Sequence, residues 1–321
     1  MKENNKSPRL AIVVPCYNEE EVLISTEARL RLLVAEMVKD GLVTSDSMVV
    51  YVDDGSDDST WSLISEAVRE HPGVDCGVKL GHNAGHQNAL LAGLESVADR
   101  CDAIVSIDAD LQDDIQAIPR MVKEFQKGNE IVYGVRDSRL TDTWFKRTSA
   151  ESFYKTMNRL GVESVSNHAD FRLMSARAAR ELLRYKENNI FLRGVVPRIG
   201  LQQSKVLYDR KPREAGESKY PLRKMINFAV EGITSFSIKP VRLVFMLGLI
   251  FTVVALFILI YTLCRYFAGE TIEGWTSLML SIWFCTGVLL VCLGIIGEYV
   301  GKIFLEVKDR PRYVIEEKKG L

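Results

Sequence analysis

The chain has 321 residues, enough for one large domain or two modest ones, and carries 41 basic against 42 acidic side chains. That balance gives no general polyanion-binding signal, so nucleic acid is not an expected partner. Six cysteines (Cys16, Cys76, Cys101, Cys264, Cys285, Cys292) show no C-x-x-C spacing and no histidine at zinc distances, which sets aside a disulfide or zinc framework.

Met1 to Pro8 is polar and lacks an apolar h-region, so no cleavable signal peptide is expected. Leu10 to Pro15 is an apolar run that reads as a strand buried on both faces. It leads through Cys16-Tyr17-Asn18-Glu19-Glu20 into an amphipathic helix expected over Glu20 to Val38. Met48 to Val52 reads as a second strand, closed by Asp53-Asp54-Gly55-Ser56-Asp57-Asp58-Ser59-Thr60, where Asp58 or Ser59 suits the N-cap of a helix through Ala67. Gly77 to Leu80 is a third strand, and Gly81 to His86 turns into a helix over Gln87 to Val97. A strand at Ala103 to Ile107, a helix near Ile115 to Phe125 and a strand at Ile131 to Val135 follow. Beyond Arg136, a helix over Asp142 to Leu160 and strands near Asp170 to Met174 and Ser204 to Tyr208 are expected, then a basic loop from Arg210 to Tyr220.

Strand and helix alternating about every twenty residues predicts an α/β fold, a Rossmann-like, mostly parallel sheet. Tyr17, Asp53, Asp54, Asn83 and Asp108 all follow strand ends, the edge where open α/β sheets bind ligands. Neither G-x-G-x-x-G after the first strand nor G-x-x-x-x-G-K-[ST] occurs, so dinucleotide-dehydrogenase and P-loop NTPase readings lose their main support. Asp108-Ala109-Asp110-Leu111-Gln112 closes the fourth strand. Two carboxylates one residue apart, then a side-chain amide, suit one hard cation that keeps positions open for phosphate oxygens, hence Mg²⁺ or Mn²⁺ on a diphosphate. Taken singly, such pairs also read as solvated turns, and His86 as a helix-start residue.

Leu243 to Cys264 and Gly274 to Gly297 are free of charge over about 22 and 24 positions, each long enough to cross a bilayer as a helix. Arg223, Lys224, Lys239 and Arg242 precede the first, while Lys302, Lys308, Arg310 and Arg312 follow the second. The positive-inside rule then puts both termini and the large domain in the cytoplasm. Tyr220 to Ser237 suits an interfacial helix or a helix packed on the sheet. The expected organisation is therefore a domain over 1–220, a juxtamembrane helix over 221–240, two membrane helices within 241–300 and a cytoplasmic tail over 301–321. Gly248, Gly287 and Gly294 offer helix-packing positions for a homo-oligomer.

Tyr17-Asn18-Glu19-Glu20, Asp53-Asp54-Gly55-Ser56, Asn83-x-Gly85-His86, Asp108-x-Asp110-Leu111-Gln112, Asp170-Phe171-Arg172-Leu173 and Gly216-Glu217-Ser218-Lys219-Tyr220 occur in this order. Together they resemble the family 2 glycosyltransferases of the GT-A fold, and within them the polyprenyl-phosphate glycosyltransferases, over nearly the whole chain. The resemblance implies inverting transfer of one sugar from a nucleotide sugar to a polyprenyl (undecaprenyl) phosphate at the membrane. It implies that Pro15, Tyr17, Glu19, Asp53 and Asp54 bind base and ribose, with Asn83, His86 and Ala109 also at the donor. It further implies that Asp108, Asp110 and Gln112 hold Mg²⁺ or Mn²⁺, that Arg213 and Lys219 reach over the donor, and that Arg136 and Arg147 receive the lipid phosphate. Asp170 would orient the acceptor or assist a proton, and is counted with Asp110, Arg136 and Arg147 among the catalytic candidates.

Asp114-Ile115-Gln116 stands where many relatives carry Pro-Pro-Glu, which touches the loop and not the ligands. No Gln-x-x-Arg-Trp occurs, which argues against processive synthesis. UDP-glucose is the leading donor, with UDP-GlcNAc, another UDP-sugar or GDP-mannose as alternatives. A non-catalytic scaffold partnering a lipid-sugar flippase, and a lipid-sugar transporter, are the competing classes.

Overall fold

The computed structural model describes residues 7–136, 168–187, 190–208 and 274–321, with single positions between 241 and 268. The chain divides into two compact units: Met1–Tyr154 with Ser164–Lys219 and Arg310–Leu321, and Lys155–Glu163 with Tyr220–Asp309.

The first unit is built on a mixed α/β sheet. Its elements begin β1 (Leu10–Cys16), α1 (Leu23–Lys39), β2 (Met48–Asp53), α2 (Thr60–Glu70), β3 (Asp75–Leu80), α3 (His86–Val97) and β4 (Ala103–Ser106). They continue with α4 (Ala117–Gln126), β5 (Ile131–Arg136), β6 (His168–Ser175), α5 (Ala176–Leu183), α6 (Leu192–Val195) and β7 (Gln203–Tyr208). Every residue of β1 and β2 is buried, as continuous apolar runs between two helical layers require. Leu10, Ile12 and Val14 join Leu30, Leu33 and Ile64 in the core on one face. On the other face α3 lies so close that a Cβ on Gly93 would stand 2.4 Å from Val13 Cγ1.

The eight strands run in the order β7-β5-β6-β4-β1-β2-β3-β8, the last being β8 (Ile315–Lys319). The expectation of a mostly parallel sheet needs refinement. β1 pairs parallel with β2 and β4, β2 with β3, and β5 with β7. β6 runs antiparallel between β4 and β5, and β8 runs antiparallel along β3. The reversal has a consequence for placement. The register pairs Ser106 with Arg172, so β6 starts at the edge where β4 ends. Asp170 is thereby delivered beside Asp108, from 62 positions further along the chain by their numbering.

β8 comes from residues expected only as a tail. Its start is tied by Gly81 N–H donating to Val314 O at 3.0 Å, and Lys319 lies over the Trp61 ring at 5.0 Å. Tyr313 Oη donates to Glu95 Oε2 of α3 at 2.6 Å.

The second unit contains α7 (Trp275–Val307), in which Phe284–Val307 is long and apolar enough to cross a membrane. It continues past the expected end at Gly297 through Glu298 and Lys302. At about 1.5 Å per residue its 33 residues exceed a hydrocarbon core of about 30 Å. The described positions from 241 to 267 are helical, and the rest of the expected first span lies outside the described residues.

Candidate active site

The parallel strands end in loops that hold one another by side-chain-to-backbone hydrogen bonds. Asn18 takes a positive φ of 54°, which turns its side chain to accept from Asp57 N–H at 2.9 Å while its own N–H donates to Ser56 Oγ at 3.0 Å. Glu19 N–H donates to Thr60 Oγ1, and Glu20 N–H to Asp58 Oδ2. Asp58 Oδ1 accepts from Thr60 N–H at 2.9 Å, so Asp58 covers the start of α2. These bonds leave Tyr17 projecting from the loop, 43% exposed.

Asp53 and Asp54 diverge. Both oxygens of Asp54 accept backbone N–H groups, from Ala84 at 2.7 Å and Gly85 at 3.0 Å, which fixes the turn before α3. Asp53 accepts from Ser56 N–H through Oδ1, but its buried Oδ2 has no hydrogen-bond partner among the described residues. Burial raises the Asp53 carboxyl, against the pull of Ser56 and Lys79. Gly55 sits between the loops at φ +66°, where a Cβ would come within 2.6 Å of Asn83 N. Asn83 Oδ1 accepts from Gly85 N–H at 3.1 Å. Pro15 lies in β1, paired with Val52.

Beyond β4 the backbone turns sharply, with Leu111 at φ 43° and its N–H donating to Asp108 O. Asp110 Oδ2 accepts from Gln112 Nε2 at 2.8 Å, so two of the three expected metal ligands are already in contact. Ala109 O accepts from Thr26 Oγ1 at 2.6 Å, which ties this turn to α1. Asp108 is half-exposed at the cleft floor. Desolvation by the surrounding protein raises its carboxyl, opposed by His86 and reinforced by Asp170, Asp113 and Asp110.

Asp170 is the meeting point. Its Oδ1 accepts from Arg172 Nη2 at 2.6 Å and its Oδ2 from Arg193 Nη2 at 3.0 Å. His86 Nε2 stands 3.6 Å from Asp108 Oδ1 and 3.9 Å from Asp170 Oδ2, bridging the two acids. Desolvation would raise Asp170, but Arg172, Arg193 and His86 outweigh it and hold the carboxyl well below its usual range. Arg172 is 1% exposed, and its Nε and Nη1 have no hydrogen-bond partner among the described residues. Gln87 Oε1 accepts Leu192 N–H at 2.8 Å, which brings α6 and Arg193 to the start of α3.

The structure thus gathers Tyr17, Glu19, Asp53, Asp54, Asn83, His86, Asp108, Ala109, Asp110, Gln112 and Asp170 on one sheet edge. The backbone of Arg136 ends β5 at that edge, opposite Tyr208. Arg147, Arg213 and Lys219, and the Arg136 side chain, lie outside the described residues. Sequence reasoning passed over Arg193, Arg172 as a charge partner, and Asp113, whose buried Oδ1 accepts from Tyr208 Oη at 2.6 Å. Arg172 was legible as an i, i+2 neighbour on the same face of a strand, whereas Arg193 had no local signal.

The carboxyl ends of the parallel strands open into acid-rich loops, backed by an antiparallel strand bearing an Asp–Arg pair, where open α/β sheets place their ligand sites. The chain belongs to glycosyl transferase family 2: that family matches residues 11–183, and the GtrB C-terminal hairpin matches residues 239–303. It is therefore a glycosyltransferase. The glycosyltransferase YkoT of Bacillus subtilis (strain 168) is 51% identical over 310 residues, covering 96% of this chain and 91% of that protein. The bactoprenol glucosyl transferase of Shigella phage SfX is 36% identical over 316 residues, covering 97% of this chain and all of that one, 100%. Among solved structures, mannosyl-3-phosphoglycerate synthase from Rubrobacter xylanophilus aligns with a TM-score of 0.47 at 15% identity, over 70% of this chain and 71% of that chain.

Proposed function

We propose that this chain transfers one glucosyl residue, with inversion, from UDP-glucose to a polyprenyl (undecaprenyl) phosphate at the cytoplasmic face of the membrane. The observation that carries this reading is the meeting of Asp108, His86, Asp170, Arg172 and Arg193 at one sheet edge. The similarity to a bactoprenol glucosyl transferase along the full chain supports the lipid acceptor and the sugar. Two membrane spans, with both termini cytoplasmic, belong to the same proposal.

Asp53 Oδ2, buried and without a hydrogen-bond partner among the described residues, is an acceptor suited to a uracil N–H, and exposed Tyr17 offers a ring to stack on the base. Asp54 works through the loop it holds. Desolvation, then Asp170, Asp113 and Asp110, raise the cost of ionising Asp108, which a divalent cation would relieve, so the residues fit Mg²⁺ or Mn²⁺ on Asp108, Asp110 and Gln112. When bound, the ion supplies charge stabilisation to the leaving diphosphate.

The acceptor phosphate is already anionic at neutral pH. One of its oxygens attacks C1 of the sugar, the C1–O bond to the diphosphate breaks, and UDP leaves with the electron pair. No strong base is needed, and Asp170, held ionised by two guanidinium groups, is a poor proton acceptor. Asp170 acts as a positioning residue that anchors Arg193 and His86 toward the phosphates. Arg136, Arg147, Arg213 and Lys219 complete the cationic surround in this proposal.

The test uses membranes containing the protein, undecaprenyl phosphate, Mg²⁺ or Mn²⁺, and each labelled nucleotide sugar in turn. Label entering the lipid phase from UDP-glucose, lost with EDTA and in Asp110→Ala, is the expected result. Transfer from UDP-GlcNAc or GDP-mannose alone would replace the donor, and transfer from none with folded protein would replace the enzyme reading by the scaffold.

A further inference from the structure

We propose that Glu27, His71 and Asp75 form a second divalent-cation site, of the zinc-type transition-metal class, between α1, the end of α2 and the start of β3. Glu27 comes from α1, His71 directly follows α2, and Asp75 opens β3. One ligand atom from each lies within 4.8 Å of the others, and His71 Nε2 is 3.6 Å from Glu27 Oε1. Tetrahedral zinc with bonds of about 2.0–2.2 Å sets its ligands roughly 3.3 Å apart, so a small side-chain adjustment closes the set. One imidazole and two carboxylates with a position left open is a nitrogen–oxygen donor set of that class.

The backbone already holds the group in place. Val74 and Asp75 N–H both donate to His71 O, at 3.2 and 3.1 Å, locking histidine and aspartate into one turn. Arg31 Nε donates to Glu27 Oε1 at 2.7 Å, the outer contact that orients a ligating carboxylate.

Asp75 points independently to a ligand. It is 0% exposed, and among the described residues its oxygens meet no N–H donor; the one side chain they face within hydrogen-bonding reach is another acid, Glu27. Arg31 balances one of the two acids and leaves the other. The hydroxyl of Tyr51 is likewise buried without a hydrogen-bond partner among the described residues. Tyr51 and Glu27 line a cavity of about 330 Å³, bounded also by Leu23, Ile64, Glu66 and Glu70. Cys76 next to Asp75 is not a ligand, since its Sγ–H donates to Gly320 O. A proton shared between Glu27 and Asp75 would engage only one oxygen of each. The cation instead clamps α1, the end of α2 and the start of β3 together.

The test uses the full chain in detergent, stripped with EDTA and titrated with Co²⁺ as a visible-absorbing probe and with Zn²⁺ during thermal unfolding. The native chain should show an imidazole-type Co²⁺ band, and Zn²⁺ should raise its unfolding temperature. Asp110→Asn should keep both responses, because the donor diphosphate site shares no residue with this group. His71→Gln, at a part-exposed position that tolerates the change, should bind Co²⁺ at least tenfold more weakly and lose the Zn²⁺ shift. No Co²⁺ band in the native chain, responses that survive in His71→Gln, or responses lost in Asp110→Asn would overturn the site.

Discussion

Asp170 and Asp75 belong to one sheet and are both withdrawn from water, yet they shift in opposite directions. Asp170 has a guanidinium on each oxygen and is held well below the usual carboxylate range, although desolvation pulls the other way. Asp75 has no such partner; desolvation, then Glu27, pushes it up to about 7 against Arg31. Burial alone therefore does not decide the charge of an acid. The partners that the strand order brings alongside decide it.

The comparison can be broken most forcefully at the catalytic edge. Replacing Asp108 or Asp110 by alanine should lower lipid-linked transfer by about 10²–10³-fold, read as labelled product per folded protein. Next comes Arg172→Met, which removes one of the two guanidinium partners of buried Asp170. It should cost about 3 kcal/mol in denaturant unfolding of the full chain, since a buried charge loses its closest partner.

The two acids should also separate in pH. Asp170 is lowered in the fold, so its stabilisation is present above an unfolded pKa of about 3.9 and lost as pH falls below it. Asp170→Asn should flatten that acid limb. Asp75 is raised, so in EDTA its contribution is present below about pH 4 and lost as pH rises through about 7. Asp75→Asn should therefore stabilise the metal-free chain at pH 8 and lose that advantage toward pH 4, measured as unfolding midpoints across pH.

Gly55→Ala should cost about 1–3 kcal/mol, because its φ is left-handed and a Cβ would press on the Asn83 backbone. The displaced loop carries Asn83, so a raised KM for the nucleotide sugar should accompany the loss. The smallest effect is expected from Tyr208→Phe, about 1 kcal/mol, for one buried hydrogen bond to Asp113.

Much of this was legible in the chain. Apolar runs at Leu10, Met48 and Ala103 declared buried strands, and the acids that end them landed on one edge because those strands are parallel. α2 starts at Thr60, after the expected cap at Asp58 or Ser59, whereas α1 begins at Leu23 instead of Glu20, its first turn preceded by Val22 N–H bonding Glu19 O. The reversal at β6 was not legible, because strand direction depends on where the preceding segment leaves the sheet. β8 was hidden as well: Ile315-Glu316-Glu317-Lys318-Lys319 has one apolar residue and becomes a strand only because β3 offers it an edge. Arg193 and the Glu27–His71–Asp75 group are joined only by tertiary packing, across 23 positions in one case and 48 in the other by their numbering.

The most direct measurement compares the transfer of label from UDP-glucose to undecaprenyl phosphate by the native chain and by Asp170→Asn, at matched folded fraction. Labelled lipid from the native chain and a rate at least about 10²-fold lower in the variant is the expected result, since Arg193 and His86 would lose their anchor. A variant rate within threefold of native would contradict the assignment of this cluster as the transfer site.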